Sequence, residues 1–350
     1  MDTITQAVLG AAVAEVGWRG ELGKKAIYTG VFCGLLPDFD IVAALGGQWG
    51  EILFHRGPTH SLFFAPLAAP LVAYAAWQWA NKQGAYWTWM HLCFWAIITH
   101  PMLDMFTTYG TQLFFPFSYM RVAFDGVSII DPIYTLPLMF ALAFSFVYRG
   151  RPEVGQRVTA AMLVFTTCYL LFGTFVSTQT EKKAHKQLVQ SGFEPVEVRA
   201  TPTLFNSILW RVLARNKQGD IGVGMYSSWA PKKIDFTLLK RPKDPLVEKT
   251  LAHDKGKLMM WFAGNMISFH IEKRPDETIV DLKDQRFGLF LAPAKTLMGA
   301  RARFTKSGDL ISINRFRKPP QTGSIGKEFG AMWGMMWTGQ RPTLIAPSKR

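Results

Sequence analysis

The sequence predicts an α-helical membrane domain followed by a small, mainly antiparallel β domain. Hydrophobic residues make up 49% of the 350-residue chain, and the long apolar runs all lie in its first half. Residues 1–176 carry nine Lys and Arg against ten Asp and Glu, whereas residues 177–350 carry thirty against fifteen. We therefore predict a helical transmembrane domain over residues 1–177 and a basic, β-rich extramembrane domain over residues 178–350.

The first domain is predicted to contain about five to six transmembrane or tucked helices. The run from Ile4 to Val16 is marginal as a span and predicts a tucked helix that pairs with the next one. Five longer apolar runs follow, and they approach or exceed the roughly 20 residues that a bilayer-spanning helix needs. These runs cover residues 26–45, 61–80, 87–106, 129–148 and 156–177.

Basic residues in the short loops predict the orientation, because Lys and Arg in such loops are retained on the cytoplasmic side. The basic loops are residues 17–25, 81–86 and 149–157. The intervening loops, 46–60 and 107–128, contain only Arg56 and Arg121 of these residue types. In a bacterial inner membrane, we expect the intervening loops and the second domain on the periplasmic or outer face.

The second domain shows a different pattern from about residue 195. Short alternating runs separated by Gly, Pro, Asp and Lys predict antiparallel strands. Near the end, IGKEFGAMWGMMW (residues 325–337) places apolar residues close to helical spacing. This C-terminal apolar helix either packs on the core or rests in the lipid interface. No nucleic-acid partner is expected, and the sequence does not determine the oligomeric state.

Ionisable residues of the first domain gather at predicted helix ends that share the non-cytoplasmic face. Such residues in membrane proteins usually mark a function. They are Asp38 and Asp40 in LLPDFD, His55, Arg56 and His60 in HRGPTH, His100 and Asp104 in THPMLD, and, as additional candidates, Asp2, Gln6 and Asp131. Imidazoles and carboxylates gathered on one face suit zinc, manganese or iron. We predict one or two divalent metal ions per chain, with zinc preferred.

Each motif also has a structural interpretation. His100 and Asp104 are spaced i, i+4, so they share a helical face that suits a hydrogen bond as well as a metal. The competing roles are solvated caps for Asp38 and Asp40, ordinary loop positions for His55 and His60, and an N-cap for Asp131. Arg56 lies between the two loop histidines and is predicted to clamp an anionic oxygen such as a phosphate.

Taken together, these motifs resemble the YdjM-type family of membrane-bound metal-dependent hydrolases. The matching stretches are MDTITQAVLGAAVAE, GLLPDFD, HRGPTHS, HPMLDMFTTYGTQLFFPFS and IIDPIYTLPL, which cover most of residues 1–140. The resemblance implies a helical membrane hydrolase whose site maps onto Asp38, Asp40, His55, His60, His100 and Asp104. Many relatives carry a histidine where this chain has Gln6.

The leading functional prediction is a metal-dependent hydrolase that cleaves a phosphoester of a membrane lipid or lipid-linked substrate. Asp40, Arg56 and Asp104 are its predicted catalytic residues. One alternative is a metal-free, PAP2-like lipid phosphatase, in which one histidine attacks phosphorus and a His–Asp pair acts as acid and base. Another is a metal-binding or transport membrane protein without hydrolase activity.

Overall fold

The computed structural model describes residues 1–317 and 325–340, and these form two compact units. One unit comprises Met1–Phe175 with Leu204–Asn206, and the other comprises Val176–Thr203 with the described residues from Ser207 onward. The first is helical, and the second is built on two small antiparallel sheets. The predicted succession of a helical part and a β part is confirmed.

The helices of the first unit follow one another with short connections. They are α1 (Thr3–Leu22), α2 (Lys24–Leu35), α3 (Gln48–Phe54), α4 (Phe64–Trp79), α5 (Tyr86–Asp104), α6 (Pro132–Val147) and the first part of α7 (Pro152–Gln190). Two 3₁₀ segments, Leu36–Gly46 and Pro58–His60, interrupt the α-helices. The α-helix predicted over residues 26–45 therefore ends at Leu35. Pro37 has no N–H to donate to the Cys33 carbonyl, which accepts from Leu36 N–H instead, as in a 3₁₀ turn.

Glycine residues bring α1 and α2 into close contact. A Cβ atom on Gly10 would lie 2.2 Å from the Gly30 carbonyl oxygen, and one on Gly34 would lie 2.5 Å from the Gln6 carbonyl oxygen. Small residues four apart are typical of helix pairs in membranes, where they let backbones approach. This glycine contact fixes the positions of Gln6 and Gly34, which both bear on the candidate site.

Membrane-spanning length is found in few of the described helices. α7 is long and apolar enough to cross a membrane. Gln48–His60 and Phe64–Trp79 together form a second span if this pair, bent by 69°, acts as one. α6 is apolar but shorter. The predicted number of five to six transmembrane or tucked helices is thus not established.

Two of the basic loops of the helical unit, residues 17–25 and 81–86, lie together at one end. Lys25 Nζ donates to the Ala80 carbonyl oxygen at 3.2 Å, and Gln83 Nε2 donates to the Glu21 carbonyl oxygen at 3.3 Å. α1 starts at the other end, where Gln6 meets the last residue of α5. The candidate site residues are therefore at the end opposite the basic loops.

Two four-stranded antiparallel sheets form the second unit. β1 (Pro195–Pro202), β2 (Leu209–Asn216), β3 (Ile221–Ser227) and β4 (Thr237–Leu239) pair in chain order, as do β5 (Ile267–Lys273), β6 (Glu277–Asp284), β7 (Met298–Thr305) and β8 (Leu310–Arg317). The helices are α8 (Pro245–Ala252), α9 (Asp254–Phe262) and α10 (Ile325–Thr338). β2 is buried on both faces, because Trp210 and Val212 enter one hydrophobic cluster while Leu213 enters another.

Candidate metal centre

Three side chains from three separate elements converge at one point of the helical unit. Asp38 comes from the 3₁₀ segment Leu36–Gly46, His60 ends the 3₁₀ turn Pro58–His60, and His100 lies one turn before the end of α5. Each offers one ligand atom, and the three atoms lie within 4.8 Å of one another. Asp38 Oδ1 is 3.6 Å from His60 Nε2 and 3.4 Å from His100 Nε2. Both imidazoles are buried, and this Asp/His/His cluster can hold a metal ion.

Asp104 adds a second carboxylate one helical turn after His100. Its Oδ2 lies 3.4 Å from His60 Nε2 and 3.8 Å from His100 Nε2. Arg56 Nε is 2.9 Å from the same oxygen, yet neither atom has a hydrogen bond of acceptable geometry among the described residues. The contact is therefore an ion pair without a directed hydrogen bond. A buried carboxylate oxygen left in this state fits a cation that the two imidazole nitrogens also face.

The other ring nitrogens of the two histidines are already engaged. His100 Nδ1 lies 2.6 Å from the Gly34 carbonyl oxygen, which only accepts hydrogen bonds, so Nδ1 carries the proton. His60 Nδ1 lies 3.2 Å from Asp40 Oδ2. Nε2 of each ring faces Asp38 and Asp104, and with a metal bound it would be unprotonated and offer a lone pair. Metal-binding histidines typically have such a carbonyl or carboxylate on the far nitrogen.

Asp40 lies behind His60 and outside the three-residue cluster. Its Oδ2 accepts hydrogen bonds from the Arg56 backbone N–H at 2.8 Å and from the Thr59 hydroxyl at 3.2 Å. Its Oδ1 lies 2.8 Å from His55 Nδ1. The structure thus places Asp40 and His55 together as a hydrogen-bonded pair that orients His60.

The two aspartates of the 3₁₀ segment lie outside the candidate spans. Burial opposes the charged form of Asp38, but hydrogen bonds from His100 and His60 outweigh it and lower the pKa of the carboxyl. Burial also opposes ionisation of Asp40, and hydrogen bonds from His55 and His60 lower its pKa in the same way. Both carboxyls are therefore ionised, which is the form that attracts a cation.

The HRGPTH loop owes its shape to Arg56 and Gly57. Arg56 has a φ of 59°, a left-handed conformation, and a Cβ on Gly57 would lie 2.8 Å from the Phe54 carbonyl oxygen. The turn directs the Arg56 side chain inward, where Nη1 donates to Thr107 Oγ1 at 2.7 Å and the guanidinium lies 4.9 Å from the Tyr109 ring centre. At 3% exposure, Arg56 is buried beside Asp104.

The three additional candidates have other partners. The Asp2 side chain caps α1 by accepting from Thr5 N at 3.1 Å, and the Asp131 side chain caps α6 by accepting from Ile133 N at 2.9 Å. Gln6 Nε2 donates to Asp104 Oδ1 at 2.9 Å. The structure therefore brings none of the three into the Asp/His/His cluster, although Gln6 contacts Asp104, which lies beside the cluster. The sequence analysis did not identify Gly34, whose carbonyl oxygen holds His100. Its four-residue spacing from Gly30 indicates a close contact between two helices.

Comparison with known protein families identifies the first half of the chain. The model of the family described as YdjM inner membrane protein matches residues 1–180, and the chain belongs to this family. The resemblance seen in the motifs is thereby confirmed.

Two curated proteins are similar to part of the chain. The chain is 25% identical over 201 residues to the uncharacterized protein YfhP of Bacillus subtilis (strain 168), which covers 54% of this chain and 58% of that protein. It is 33% identical over 95 residues to the inner membrane protein YbcI of Escherichia coli (strain K12), which covers 25% of this chain and 54% of that protein. The chain thus spans little more than half the length of these relatives. No solved structure matches the chain.

Proposed function

We propose that the protein is a membrane-embedded, metal-dependent hydrolase that cleaves a phosphoester of a lipid or lipid-linked substrate at the non-cytoplasmic face. The observation that carries the proposal is the convergence of Asp38, His60 and His100. Membership in an inner membrane family supports the location. The position of the cluster, opposite the basic loops, supports the choice of face.

The donor set of the cluster suits a cation. Asp38 and Asp104 offer carboxylate oxygens, and His60 and His100 would each offer an Nε2 lone pair once that nitrogen is unprotonated. Four nitrogen and oxygen ligands suit one zinc ion, and the same donors suit manganese or iron. We therefore propose one metal ion at this cluster, with zinc preferred.

The residues around the cluster are proposed to have separate roles. A divalent ion held here would polarise a phosphoryl oxygen and acidify a water molecule. Asp40 holds the His60 ring and pairs with His55, whose side chain is 26% exposed and thus accessible from outside the buried cluster. We assign proton transfer to this Asp40–His55 pair, since a carboxylate-backed histidine is a common acid–base group. Arg56 is assigned to positioning Asp104, in place of the predicted phosphate clamp.

A metal-free lipid phosphatase is the second candidate, because His60 has the carboxylate on Nδ1 that a nucleophilic histidine requires. In this mechanism, Nε2 of His60 attacks phosphorus and so must not be bound to a metal, whereas in the leading proposal the same nitrogen is a metal ligand. The third possibility is a metal-binding or transport protein, but the polar cluster lies at one end of the helical unit, whereas an ion pathway requires polar groups along its length.

An activity assay with controlled metal content separates these functions. The full chain in mixed micelles is offered long-chain phosphatidate and an isoprenyl diphosphate, and phosphate release is measured before and after chelation and metal return. We expect phosphate release that is abolished by chelation and by Asp38→Asn. His91→Ala, at an exposed position on α5, should leave phosphate release unchanged. Release that persists in metal-free protein supports the phosphatase. Full metal occupancy without cleavage of either substrate contradicts the assignment to phosphoester hydrolysis.

A further inference from the structure

α10 has two faces of opposite character. Met335 and Met336 are buried, and Met335 enters a hydrophobic cluster with Leu209 of β2 and Met225 of β3. The side chains of Trp333 and Trp337, by contrast, are 62% and 48% exposed. The helix therefore packs on the β unit through its methionines and presents tryptophans outward, so it combines the two interpretations that its sequence left open.

The outward tryptophans belong to a larger aromatic surface. Trp229, just after β3, is 65% exposed, and its ring centre lies 5.6 Å from that of Trp337. Trp337 in turn lies 5.7 Å from Trp333. We call Trp229, Trp333 and Trp337 the tryptophan surface. Three neighbouring indoles of this exposure are unusual on a water-facing surface, because scattered single apolar residues are the ordinary case.

The β unit holds this surface rigidly. Ser227 Oγ donates to the Met336 carbonyl oxygen at 2.7 Å, and Glu328 accepts from the backbone N–H groups of Phe290 and Leu291, each at 3.1 Å. A Cβ on Gly339 would lie 2.0 Å from the Ala230 carbonyl oxygen, so the end of the helix is fitted closely against the Trp229 segment. The exposure of the indoles is therefore built into the fold, and a partner can bind them without ordering the helix first.

We propose that the tryptophan surface inserts into the interface of the lipid bilayer and anchors the β unit to it. Indole rings prefer the headgroup level of a membrane, where the ring is apolar and its N–H meets water. Lys232 and Lys233 follow Trp229 in the chain and are exposed, which complements anionic lipid. The β unit continues directly from α7, a helix long enough to cross a membrane, so a bilayer is always nearby.

The test places a lipid-sensitive probe beside the indoles without removing them. Gly330 is exposed on α10, one turn before Gly334, and a Cβ on either glycine meets no described atom within 4 Å. Gly330→Cys is labelled with the environment-sensitive dye NBD in a Cys168→Ser background, because Cys33 and Cys93 are buried. The full chain is reconstituted into vesicles that contain a nitroxide-labelled lipid, with and without anionic phosphatidylglycerol. Asp254→Cys, whose native side chain is 97% exposed, is the matched control in the same unit.

We expect the nitroxide lipid to quench the probe at position 330 at least about threefold more than the probe at 254, with blue-shifted emission at 330 only. Replacing all three tryptophans by serine should abolish the difference, and Lys232→Glu with Lys233→Glu should reduce it in anionic vesicles. Equal quenching at 330 and 254 overturns the proposal. A blue shift at 330 without lipid quenching also overturns it, since it indicates a protein on this surface. Circular dichroism of each labelled variant verifies that the β unit remains folded.

Discussion

His60 Nε2 and His100 Nε2 lie 3.1 Å apart, while the far nitrogens of the two rings are held by different partners, Asp40 and the Gly34 carbonyl. The candidate metal centre therefore depends on two supports that are not themselves in the Asp/His/His cluster. One support is a carboxylate, and the other is a backbone oxygen placed by helix packing. Each support can be altered separately.

The carboxylate support is tested by Asp40→Asn. The amide keeps the shape but removes the charge that orients His60, so metal affinity should fall roughly 10–100-fold while a saturating metal concentration still fills the site. His55→Ala should have a smaller effect, because it removes one partner of Asp40. Competition with a chelator of known affinity measures both. Asp131→Asn, which alters the helix cap of α6, is the control. Complete loss of metal at saturation in Asp40→Asn would show that Asp40 is itself a ligand.

The backbone support is tested in the glycine contact between α1 and α2. Gly34→Ala would place a methyl group 2.5 Å from the Gln6 carbonyl oxygen, so the helices must separate and displace the oxygen that holds His100. We expect a loss of about 1–3 kcal/mol in unfolding free energy together with weaker metal binding. Gly17→Ala on α1 is the matched control, since a Cβ there meets no described atom within 4 Å. Equal thermal stability of the two variants would contradict this role for the glycine contact.

The role of Arg56 is tested by a pair of substitutions. Arg56→Ala and Arg56→Gly both remove the guanidinium beside Asp104, but glycine also tolerates the left-handed backbone. We expect both variants to retain the metal ion and to lose activity. The glycine variant should be more stable by about 0.4–1 kcal/mol or more, since alanine is strained at positive φ. Elemental analysis and thermal unfolding measure these effects. Loss of metal in both variants would assign Arg56 to the integrity of the centre.

The sequence predicted the residues of the site better than their arrangement. Asp38, His60 and His100 were identifiable because ionisable residues are conspicuous in apolar surroundings. The separation of His55 from the cluster could not be predicted from the sequence, because it depends on the loop conformation. Arg56, which has a left-handed backbone, turns the chain between His55 and His60. The role of the Gly34 carbonyl could not be predicted from residue type, because every residue has a backbone carbonyl. The Gly30–Gly34 spacing indicates a close helix contact but not which carbonyl meets His100.

Helix boundaries show the same limit. Hydropathy predicted that the first helix ends at Val16, but α1 continues to Leu22. Polar residues remain helical in this last part, where Arg19 Nε lies 3.6 Å from Glu15 Oε2. Hydropathy also carried the second helix to residue 45, although α2 ends at Leu35. Apolar content measures compatibility with lipid, whereas helix ends depend on local backbone chemistry. The antiparallel strands were predictable because their side chains alternate with a period of two.

The orientation remains a prediction that labelling in intact spheroplasts can test. Single cysteines in the Cys168→Ser background at Arg151, Phe117 and Lys257 sample a basic loop, the loop on the side of the site, and the β unit. Phe117 is 80% exposed, so it is a better probe than the tightly packed Gly57. We expect an impermeant maleimide to label positions 117 and 257 and to spare position 151. Labelling of 151 with protection of 117 would invert the proposed face.

The central claim is that Asp38, His60 and His100 bind a divalent metal ion, and the metal content of the purified full chain tests it most directly. Elemental analysis of the wild-type chain should give one ion per chain, with zinc preferred. His60→Ala with His100→Ala should lower that content to background, while His91→Ala, an exposed histidine on the same helix as His100, should leave it unchanged. Stoichiometric metal retained in a folded His60→Ala, His100→Ala variant, or metal-free wild-type protein after supplementation with zinc, manganese and iron, would contradict the account.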